Sequence, residues 1–367
     1  MFINLYVIIL AAAFAFAITS FGIPKVIELA RQKRLYDLPG DRTSHLKPTP
    51  RLGGAMIFAG VILSSILFTN QESAFQLKYI IAGMLILFFI GIKDDIISLT
   101  PVKKIIGQFF ASLILVIPGN TRIIGCYNLF GLDEFPPIVS IIISLFFVMA
   151  LINSMNLIDG IDGLASGVGI IASASFGYWF YINNYLSYAV ICGSLAGSLI
   201  AFFYFNVFSK NYKIFLGDTG SMLIGFLLAL FAINFLELNS DKTSSIRILT
   251  APSITLAILS IPVFDTFRVI IIRLFNNKPL FKADQNHIHH RILSVSKSHF
   301  KATGSILLVN GCLIVITLLL RALGNTVLIS SLAILGIILL IILRFRLKRN
   351  NLIKYQDRDQ LKKEGAL

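Results

Sequence analysis

The sequence predicts an all-α, polytopic membrane protein with about eleven transmembrane helices. Of its 367 residues, 56% are hydrophobic and only 14% are charged, and the mean hydropathy is +0.83. Soluble globular domains carry roughly 25% charged residues, so this chain is too apolar to be one. Long apolar stretches alternate with short polar segments, and most stretches approach the length of about 20 residues that a helix needs to cross a bilayer.

Eleven apolar stretches are predicted to cross the membrane. They lie near 2–24, 52–69, 77–92, 105–118, 137–152, 164–183, 187–205, 221–238, 250–272, 303–323 and 326–343. The first has no basic residue before it and no evident cleavage site, so we expect it to be retained rather than removed as a signal peptide. In the ninth, Pro262 is expected to kink the helix.

Lys and Arg are distributed unevenly between the two sets of loops. With Arg268 counted at the inner end of its span, 27 of the 32 Lys and Arg residues lie on one set of loops. Cytoplasmic loops carry the excess of basic residues, which predicts an outside N-terminus and a cytoplasmic C-terminus. Residues 1–343 then form the transmembrane domain, and 344–367 form a basic cytoplasmic tail near anionic headgroups. Because the basic residues flank apolar spans, the net charge of +14 does not indicate nucleic acid.

Five polar motifs fall in the loops that are predicted to be cytoplasmic. They are "DRTSHLKPTPRLGG" (41–54), "KDD" (93–95), "NSMNLIDGIDG" (153–163), "FLGDTGS" (215–221) and "ADQNHIHHRIL" (283–293). Each has a structural explanation, since acids can end a helix at the interface and Asp or Ser can cap one. However, carboxylates beside hydrocarbon are costly and are usually paired, metal-bound or hydrated. Their clustering on one face predicts a functional site.

The residue types in these motifs indicate phosphate chemistry with magnesium. Carboxylate and amide oxygens are the ligands that Mg²⁺ prefers, commonly together with substrate phosphates. Lys103, Lys104 and Arg291 supply cationic donors for phosphates, and a glycine-rich helix N-terminus at "GDTGS" can bind an anion. The residues alone therefore predict a membrane enzyme that handles phosphate at the cytoplasmic face, with a lipid as one reactant.

Two other classes of protein are alternatives to this prediction. His287, His289 and His290 suggest a zinc site, but zinc-binding helices commonly space two histidines at i,i+4. Here the spacing is i,i+2,i+3, and Arg291 follows directly, where a bound dication would repel it. A proton-coupled transporter is the second alternative. In such a transporter, the acidic residues are expected near the membrane midplane, and the chain is expected to contain internal repeats. This sequence shows neither pattern.

The motifs also resemble a known family. "KDD" followed by Lys104, "NxxNxxDGxDGLA", "FLGDTGS" and "HIHHR" occur in the order seen in polyprenyl-phosphate N-acetylhexosamine-1-phosphate transferases, of the glycosyltransferase 4 type. The resemblance runs from about residue 37 to 293. "HIHHR" is similar to the branch that starts O-antigen, enterobacterial common antigen and teichoic acid linkage units. The phospho-MurNAc-pentapeptide transferase branch, which tends to have three adjacent histidines, is the alternative.

The resemblance implies a reaction between a UDP-N-acetylhexosamine, by default UDP-GlcNAc, and undecaprenyl phosphate, with release of UMP. It also implies a multi-pass protein of the bacterial plasma membrane whose active site faces the cytoplasm. The lipid phosphate is expected to attack the sugar-bearing phosphorus in line, and a covalent aspartyl-phosphate route stays open. The identity of the sugar, the later glycan and the oligomeric state, a homodimer included, also stay open.

The resemblance gives roles to five residues around the reacting phosphates. Asp218 and Asn156 match the Mg²⁺ ligands, with Mn²⁺ as a substitute for the metal. Asp94 and Asp95 match an acidic pair that activates the lipid phosphate or organises the metal site. Asp159 matches a further acid with a catalytic role.

The resemblance also implies residues that bind the rest of the UDP-sugar. Asp162 and Phe215 match the residues that hold uracil, by a hydrogen bond and by stacking. In the first loop, 37–54, Lys47 and Thr49 are candidates for substrate contact. Four residues match phosphate-binding positions: Lys104, His289, His290 and Arg291.

Overall fold

The computed structural model describes residues 2–36, 49–69, 74–127, 129, 134–240, 246–275, 292–293, 296 and 298–342. Within these ranges the chain forms helices and loops without a β-strand, apart from one isolated bridge residue at Thr49. The all-α prediction is therefore confirmed for this part of the chain. The predicted basic tail, 344–367, lies outside it.

Twelve α-helices of eight or more residues occur in the described ranges, and they are numbered in chain order. They are α1 (Phe2–Lys33), α2 (Gly53–Phe68), α3 (Ala74–Ile96), α4 (Pro101–Val116), α5 (Pro137–Ile158), α6 (Leu164–Ile182), α7 (Leu186–Phe203), α8 (Gly217–Ser240), α9 (Ala251–Ile258), α10 (Ser260–Phe275), α11 (His299–Leu319) and α12 (Asn325–Ile342). A five-residue π-helix, Tyr204–Phe208, directly follows α7.

Seven of the described helices are long and apolar enough to cross a membrane, or eight if the bent pair α9–α10 forms one span. Large apolar side chains are exposed on the outer helices, for example Phe21 on α1, Phe146 on α5 and Ile337 on α12. Such extensive exposed apolar surface is expected where a protein faces lipid. The structure is thus that of a polytopic membrane protein. The count of eleven spans and the orientation stay predictions.

The central helix of the protein is α8. Nearly all of its side chains are buried, from Met222 through Phe235 without interruption. A helix that is apolar on every side must be surrounded by other apolar groups, and α2, α3, α5 and α6 pack around it. The polar first turn of α8, Gly217–Ser221, is therefore held in place by its neighbours.

Glycines let α2 and α3 approach the start of α8 very closely. A Cβ atom added at Gly54 would lie 2.1 Å from the backbone nitrogen of Gly220, and one at Gly91 would lie 2.4 Å from Cα of Thr219. Because interiors are close-packed, a larger residue would force a helix to move. This packing fixes the "KDD" end of α3 against the first turn of α8.

Two of the predicted loops are partly helical. α5 was expected to end at residue 152 but continues to Ile158, so Asn156 lies on its last turn. α3 similarly continues through Asp94 and Asp95 to Ile96. Polar residues at the end of a span need not end the helix, because the backbone hydrogen bonds continue into the interfacial region. The site residues consequently stand on rigid helix ends.

The predicted ninth span forms two helices, α9 and α10, that are bent by 78° at their junction. Pro262 has no N–H, so it cannot donate to the carbonyl of Ile258, four residues earlier. Asn310 of α11 supplies replacement donors, since its Nδ2 lies 3.0 Å from Ala257 O and 3.3 Å from Ile258 O. The expected kink is therefore a full break in the helix, stabilised by a buried amide.

Candidate active site

The segment that precedes α8 pairs with the end of the predicted first substrate loop. Phe215 N donates to Pro50 O at 2.8 Å, and Gly53 N donates to Phe215 O at 3.0 Å. Thr49, a candidate for substrate contact, is buried next to this pairing. Gly217 then turns the chain with a φ of +74°, which favours glycine because it has no Cβ. The first loop and "FLGDTGS" are thereby joined.

Asp95 binds the backbone donors in the first turn of α8. Its Oδ1 accepts a hydrogen bond from Asp218 N at 2.7 Å, and its Oδ2 accepts from Thr219 N at 3.1 Å and Thr219 Oγ1 at 2.6 Å. The first N–H groups of a helix have no partner within the helix, and the positive end of the helix dipole favours an anion there. Asp95 therefore acts as a capping residue supplied by a different helix.

Lys104 of α4 bridges two carboxylates. Its Nζ lies 2.6 Å from Asp94 Oδ2 and also donates to Asp218 Oδ2. Asp94 Oδ1 accepts from Leu99 N at 2.6 Å, so the turn between α3 and α4 orients the carboxylate. The side chains of Asp94, Asp218 and Lys104 are 11%, 25% and 26% exposed. These three residues, called the acid–lysine cluster below, are therefore accessible to a phosphate.

Asn156 links the end of α5 to the same cluster. Its Nδ2 donates to Ser221 Oγ at 2.9 Å, and its side chain is also hydrogen-bonded to Asp218. Ser221 donates back to Gly217 O at 3.1 Å within the first turn of α8. The two residues predicted as metal ligands, Asn156 and Asp218, are therefore neighbours.

Asp159 directly follows α5 and is half-buried. Burial raises the pKa of its carboxyl group well above its usual value, and the negative charges of Asp218, Asp95 and Asp162 raise it further, against the opposing charge of Arg51. Asp159 thus lies within electrostatic range of both the acid–lysine cluster and Asp162. An added cation at the site would favour its ionised form.

Asp162 and Phe215, the two residues matched to uracil binding, are connected by Lys213. Lys213 Nζ lies 2.6 Å from Asp162 Oδ2 and 5.7 Å from the centre of the Phe215 ring. The backbone of Asp162 contacts α11: Thr303 Oγ1 donates to its carbonyl oxygen at 2.6 Å, and its N–H donates to His299 Nδ1 at 3.3 Å. These five residues are called the Asp162 group below.

Several of these contact residues were not predicted from the sequence to be part of the site. Lys213 carried a weak signal, because it lies two residues before Phe215 in the same polar segment. His299 and Thr303 carried none, since they begin an apolar helix far along the chain. Gln108 also carried none; it lies within an apolar helix, and its Oε1 accepts from Asn153 Nδ2 at 2.8 Å.

Four residues with predicted roles lie outside the described part of the chain: Lys47, His289, His290 and Arg291. Their roles stay predictions. Among the residues that the structure describes, no three His, Cys, Asp or Glu side chains form a group that could hold a metal ion. Mg²⁺ commonly uses one or two carboxylates and completes its coordination with water and substrate phosphates, so Asp218 and Asn156 fit Mg²⁺ as a donor pair.

A largely apolar cavity lies beside the turn at 159–163. Ile158 and Leu164, which flank this turn, form part of its wall, together with side chains of α10, α11 and α12 such as Phe264 and Leu313. Its volume is about 460 Å³. Pockets of roughly 300–1,000 Å³ with mostly apolar walls are typical of ligand sites. The cavity therefore offers room for an apolar group close to the polar site.

Comparison with known proteins shows which family the chain belongs to. The sequence model described as Glycosyl transferase family 4 matches residues 77–236, which hold the acid–lysine cluster and most of the Asp162 group. The decaprenyl-phosphate N-acetylglucosaminephosphotransferase of Mycobacterium leprae is 30% identical over 305 residues, which cover 77% of this chain and 76% of the relative. The chain belongs to glycosyl transferase family 4.

Other members of the family are similar over comparable lengths. The protein of the same name from Mycolicibacterium smegmatis is 32% identical over 72% of this chain and 70% of its own length. The undecaprenyl-phosphate alpha-N-acetylglucosaminyl 1-phosphate transferase of Escherichia coli K12 is 29% identical over 72% of this chain and 71% of its own length. The family resemblance seen in the motifs is thereby confirmed.

Proposed function

We propose that this protein transfers GlcNAc-1-phosphate from UDP-GlcNAc to undecaprenyl phosphate and releases UMP. One observation carries the proposal: Lys104 joins Asp94 and Asp218 at the first turn of a buried helix, with Asn156 beside them. The names of the relatives, which are N-acetylglucosamine-phosphate transferases acting on polyprenyl phosphates, support the sugar and the acceptor.

The reaction exchanges one phosphoryl bond for another. An oxygen of the lipid phosphate forms a bond to the sugar-bearing phosphorus of UDP-GlcNAc, and the bond from that phosphorus to the bridging oxygen breaks. UMP leaves with the bridging oxygen, and the product is undecaprenyl-diphospho-GlcNAc. A phosphate monoester is mostly dianionic at pH 7, because its second pKa is about 6. A strong base is therefore not needed to make the nucleophile reactive.

The residues of the acid–lysine cluster have separate roles in this proposal. The ammonium of Lys104 neutralises phosphate charge as the two reactants approach each other. Asp94, held by Leu99 N and Lys104, orients that ammonium and accepts any proton that remains on the lipid phosphate. Asp159, within electrostatic range of the same site, adds negative charge that favours a bound cation. Holding both reactants in one orientation supplies much of the rate enhancement.

Asp218 and Asn156 would hold a magnesium ion at this site. Their carboxylate and amide oxygens are the donor types that Mg²⁺ prefers, and Mn²⁺ accepts the same donors. When bound, Mg²⁺ would spread the charge of the diphosphate. Asp95 supports the arrangement indirectly, because it fixes the backbone of Asp218 and Thr219.

The Asp162 group would bind the uracil end of the donor. Asp162 would accept a hydrogen bond from the base, and the Phe215 ring would stack on it. The short segment from Lys213 to Asp218 connects the Asp162 group to the acid–lysine cluster. A nucleoside diphosphate lying along this segment would have its base at one end and its phosphates at the other. His289, His290 and Arg291 would complete the phosphate contacts.

The acceptor is expected to enter from the bilayer. The apolar cavity beside the 159–163 turn would accommodate part of the polyprenyl chain and leave the phosphate at the polar site. The excess of basic residues on the same loops supports a site at the cytoplasmic face, where nucleotide sugars are available. The product would start a cell-envelope polysaccharide.

The proposal is tested with purified protein, Mg²⁺ and undecaprenyl phosphate, by measuring UMP release from a panel of nucleotide sugars. UDP-GlcNAc is expected to give UMP together with a lipid-linked product, and EDTA is expected to abolish the reaction until Mg²⁺ or Mn²⁺ is restored. UDP-MurNAc-pentapeptide serves as the second donor. Turnover of that donor alone would assign the protein to the other branch, and no turnover of any UDP-sugar would contradict the proposal.

A further inference from the structure

Lys213 occupies a position between the two residues matched to the nucleobase. Its Nζ is 2.6 Å from Asp162 Oδ2 and 5.7 Å from the centre of the Phe215 ring. Its side chain is 36% exposed, whereas that of Asp162 is 14% exposed. A cation thus lies at the edge of the proposed base site, where a ligand can reach it.

The orientation of Asp162 is fixed from several directions. Thr303 Oγ1 holds its carbonyl oxygen at 2.6 Å, and His299 Nδ1 accepts from its N–H at 3.3 Å. The next residue, Gly163, donates to Asn206 Oδ1 at 2.6 Å. With the backbone held and Oδ2 bound to Lys213, the direction of Oδ1 is set as well. Among the described residues, Oδ1 has no hydrogen-bond partner, and the side chain of Asp162 is 14% exposed.

Asp162 and Lys213 therefore present an acceptor next to a donor. The Watson–Crick edge of uracil carries a donor, N3–H, between two acceptors, O4 and O2. A carboxylate oxygen accepts from N3–H, and an ammonium has three N–H bonds, of which one binds Asp162 and others remain for a carbonyl oxygen. Cytosine has an unprotonated N3 and an amino group at C4. A carboxylate placed opposite N3 would then face an acceptor, which is unfavourable.

We propose that Lys213 is a specificity-determining residue that donates a hydrogen bond to a carbonyl oxygen of uracil and holds Asp162 to receive N3–H. Lys213 thereby selects uridine over cytidine nucleotides. This assignment rests on the proposed function, because it concerns the base of the same UDP-sugar. A site built to hydrogen-bond particular groups rejects an analogue that leaves its polar groups unpaired.

A purely structural ion pair is the competing explanation for Lys213. Partly exposed ion pairs contribute little to stability, so such a pair would be removed with little consequence for binding. The two explanations differ in what they predict for nucleotide selectivity. A structural pair affects UMP and CMP equally, whereas a base contact affects UMP specifically.

The experiment compares Lys213→Met and Lys213→Arg with the control Lys210→Met. Lys210 is an exposed lysine in the same segment, outside the Asp162 group. KM and kcat for UDP-GlcNAc are measured, and binding of UMP and CMP to each full-length protein is measured by calorimetry. Losing a charge-assisted hydrogen bond is expected to raise the KM of Lys213→Met by about 10- to 100-fold, with a much smaller change in kcat. The preference for UMP over CMP is expected to be lower in Lys213→Met than in the unmodified protein.

The other two variants test whether the effect is specific to the ammonium of Lys213. Lys213→Arg is expected to keep most of the preference for UMP, because guanidinium also donates to a carbonyl oxygen, and Lys210→Met is expected to match the unmodified protein. An unchanged UMP:CMP preference in Lys213→Met overturns the assignment, whatever happens to stability. Calorimetry does not require turnover. If the unmodified protein binds UMP but releases none from UDP-GlcNAc, the proposed function fails while the role of Lys213 is still decided.

Discussion

A hydrogen-bonded carboxylate lies at each end of α8, supplied by α3 at the N-terminal end and by α8 itself at the C-terminal end. At the N-terminal end, Asp95 accepts three hydrogen bonds from Asp218 and Thr219, and the acid–lysine cluster lies beside it. At the C-terminal end, Glu237 accepts from the hydroxyl of Tyr127 and from Ile124 N at 2.8 Å. With 24 residues, α8 is about 36 Å long, which is long enough to cross an apolar layer about 30 Å thick.

The difference shows how a functional acid can be distinguished from a structural one. Glu237 is one acid whose Oε1 receives two donors from the loop that follows α4, so its role is to attach that loop to α8. The N-terminal end instead brings together Asp94, Asp95, Asp159 and Asp218, with Lys104 contacting two of them. Neighbouring carboxylates repel each other unless a cation lies among them. That excess of negative charge suits a dication and a cationic phosphate-binding residue.

The largest expected effect is that of Asp218→Asn. The substitution keeps the shape of the side chain and leaves the backbone donors to Asp95 in place, but it removes the charge that Lys104 and a metal ion would share. We expect kcat for UMP release to fall by about 10²- to 10³-fold with little change in the melting temperature in detergent. Retention of more than half of the activity would show that Asp218 is not a metal ligand.

Asp95→Asn is expected to lower both activity and stability. An asparagine keeps one acceptor oxygen and places an NH₂ group against the donors at the start of α8, so it leaves buried backbone donors unsatisfied. Each such group costs about 1–3 kcal/mol. Thermal unfolding and UMP release, measured on the same preparation, check the prediction. A variant with lost activity and an unchanged melting temperature would contradict the capping role and favour a direct catalytic one.

Much of the N-terminal end of α8 could be predicted from sequence, because its residues lie in short motifs. "KDD", "NSMNLIDGIDG" and "FLGDTGS" each carry several polar residues beside apolar spans, and the structure brings Asp94, Asn156 and Asp218 together as expected. The close approach that makes this possible depends on Gly54 and Gly91. These glycines look like ordinary small residues in apolar stretches, and their role appears only when three helices meet.

The contacts that sequence could not predict join residues far apart along the chain. Lys213 is 51 residues from Asp162, and His299 is 137 residues from it. No local pattern relates such pairs, because the contacts depend on how the segment before α8 and the start of α11 pack against the turn between α5 and α6. The same holds for Glu237 and Tyr127. The break between α9 and α10 is an intermediate case, since Pro262 predicted a kink but Asn310, which stabilises the bent backbone, lies on a later helix.

Gly91→Ala is expected to have an intermediate effect. Its added Cβ atom would lie 2.4 Å from Cα of Thr219, so α3 must move away from α8 and carry Asp94 and Asp95 with it. Overpacking of this kind costs about 1–3 kcal/mol, and kcat is expected to fall as the carboxylates shift. Gly304→Ala is the control, because a Cβ there meets nothing within 4 Å. Equal melting temperatures and equal kcat values for the two variants would contradict the close-packing explanation.

The smallest expected effect is that of Glu237→Gln, which is the same acid-to-amide change as Asp218→Asn made at the opposite end of α8. Glutamine keeps an acceptor oxygen for Tyr127 and for Ile124 N, so we expect near-normal UMP release and a melting temperature close to that of the unmodified protein. Glu237→Ala removes that acceptor and is expected to destabilise the protein by about 1–3 kcal/mol, while kcat below the melting transition stays unchanged. A large loss of kcat in Glu237→Gln would mean that charge matters at both ends, and it would remove the distinction between a functional acid and a structural one.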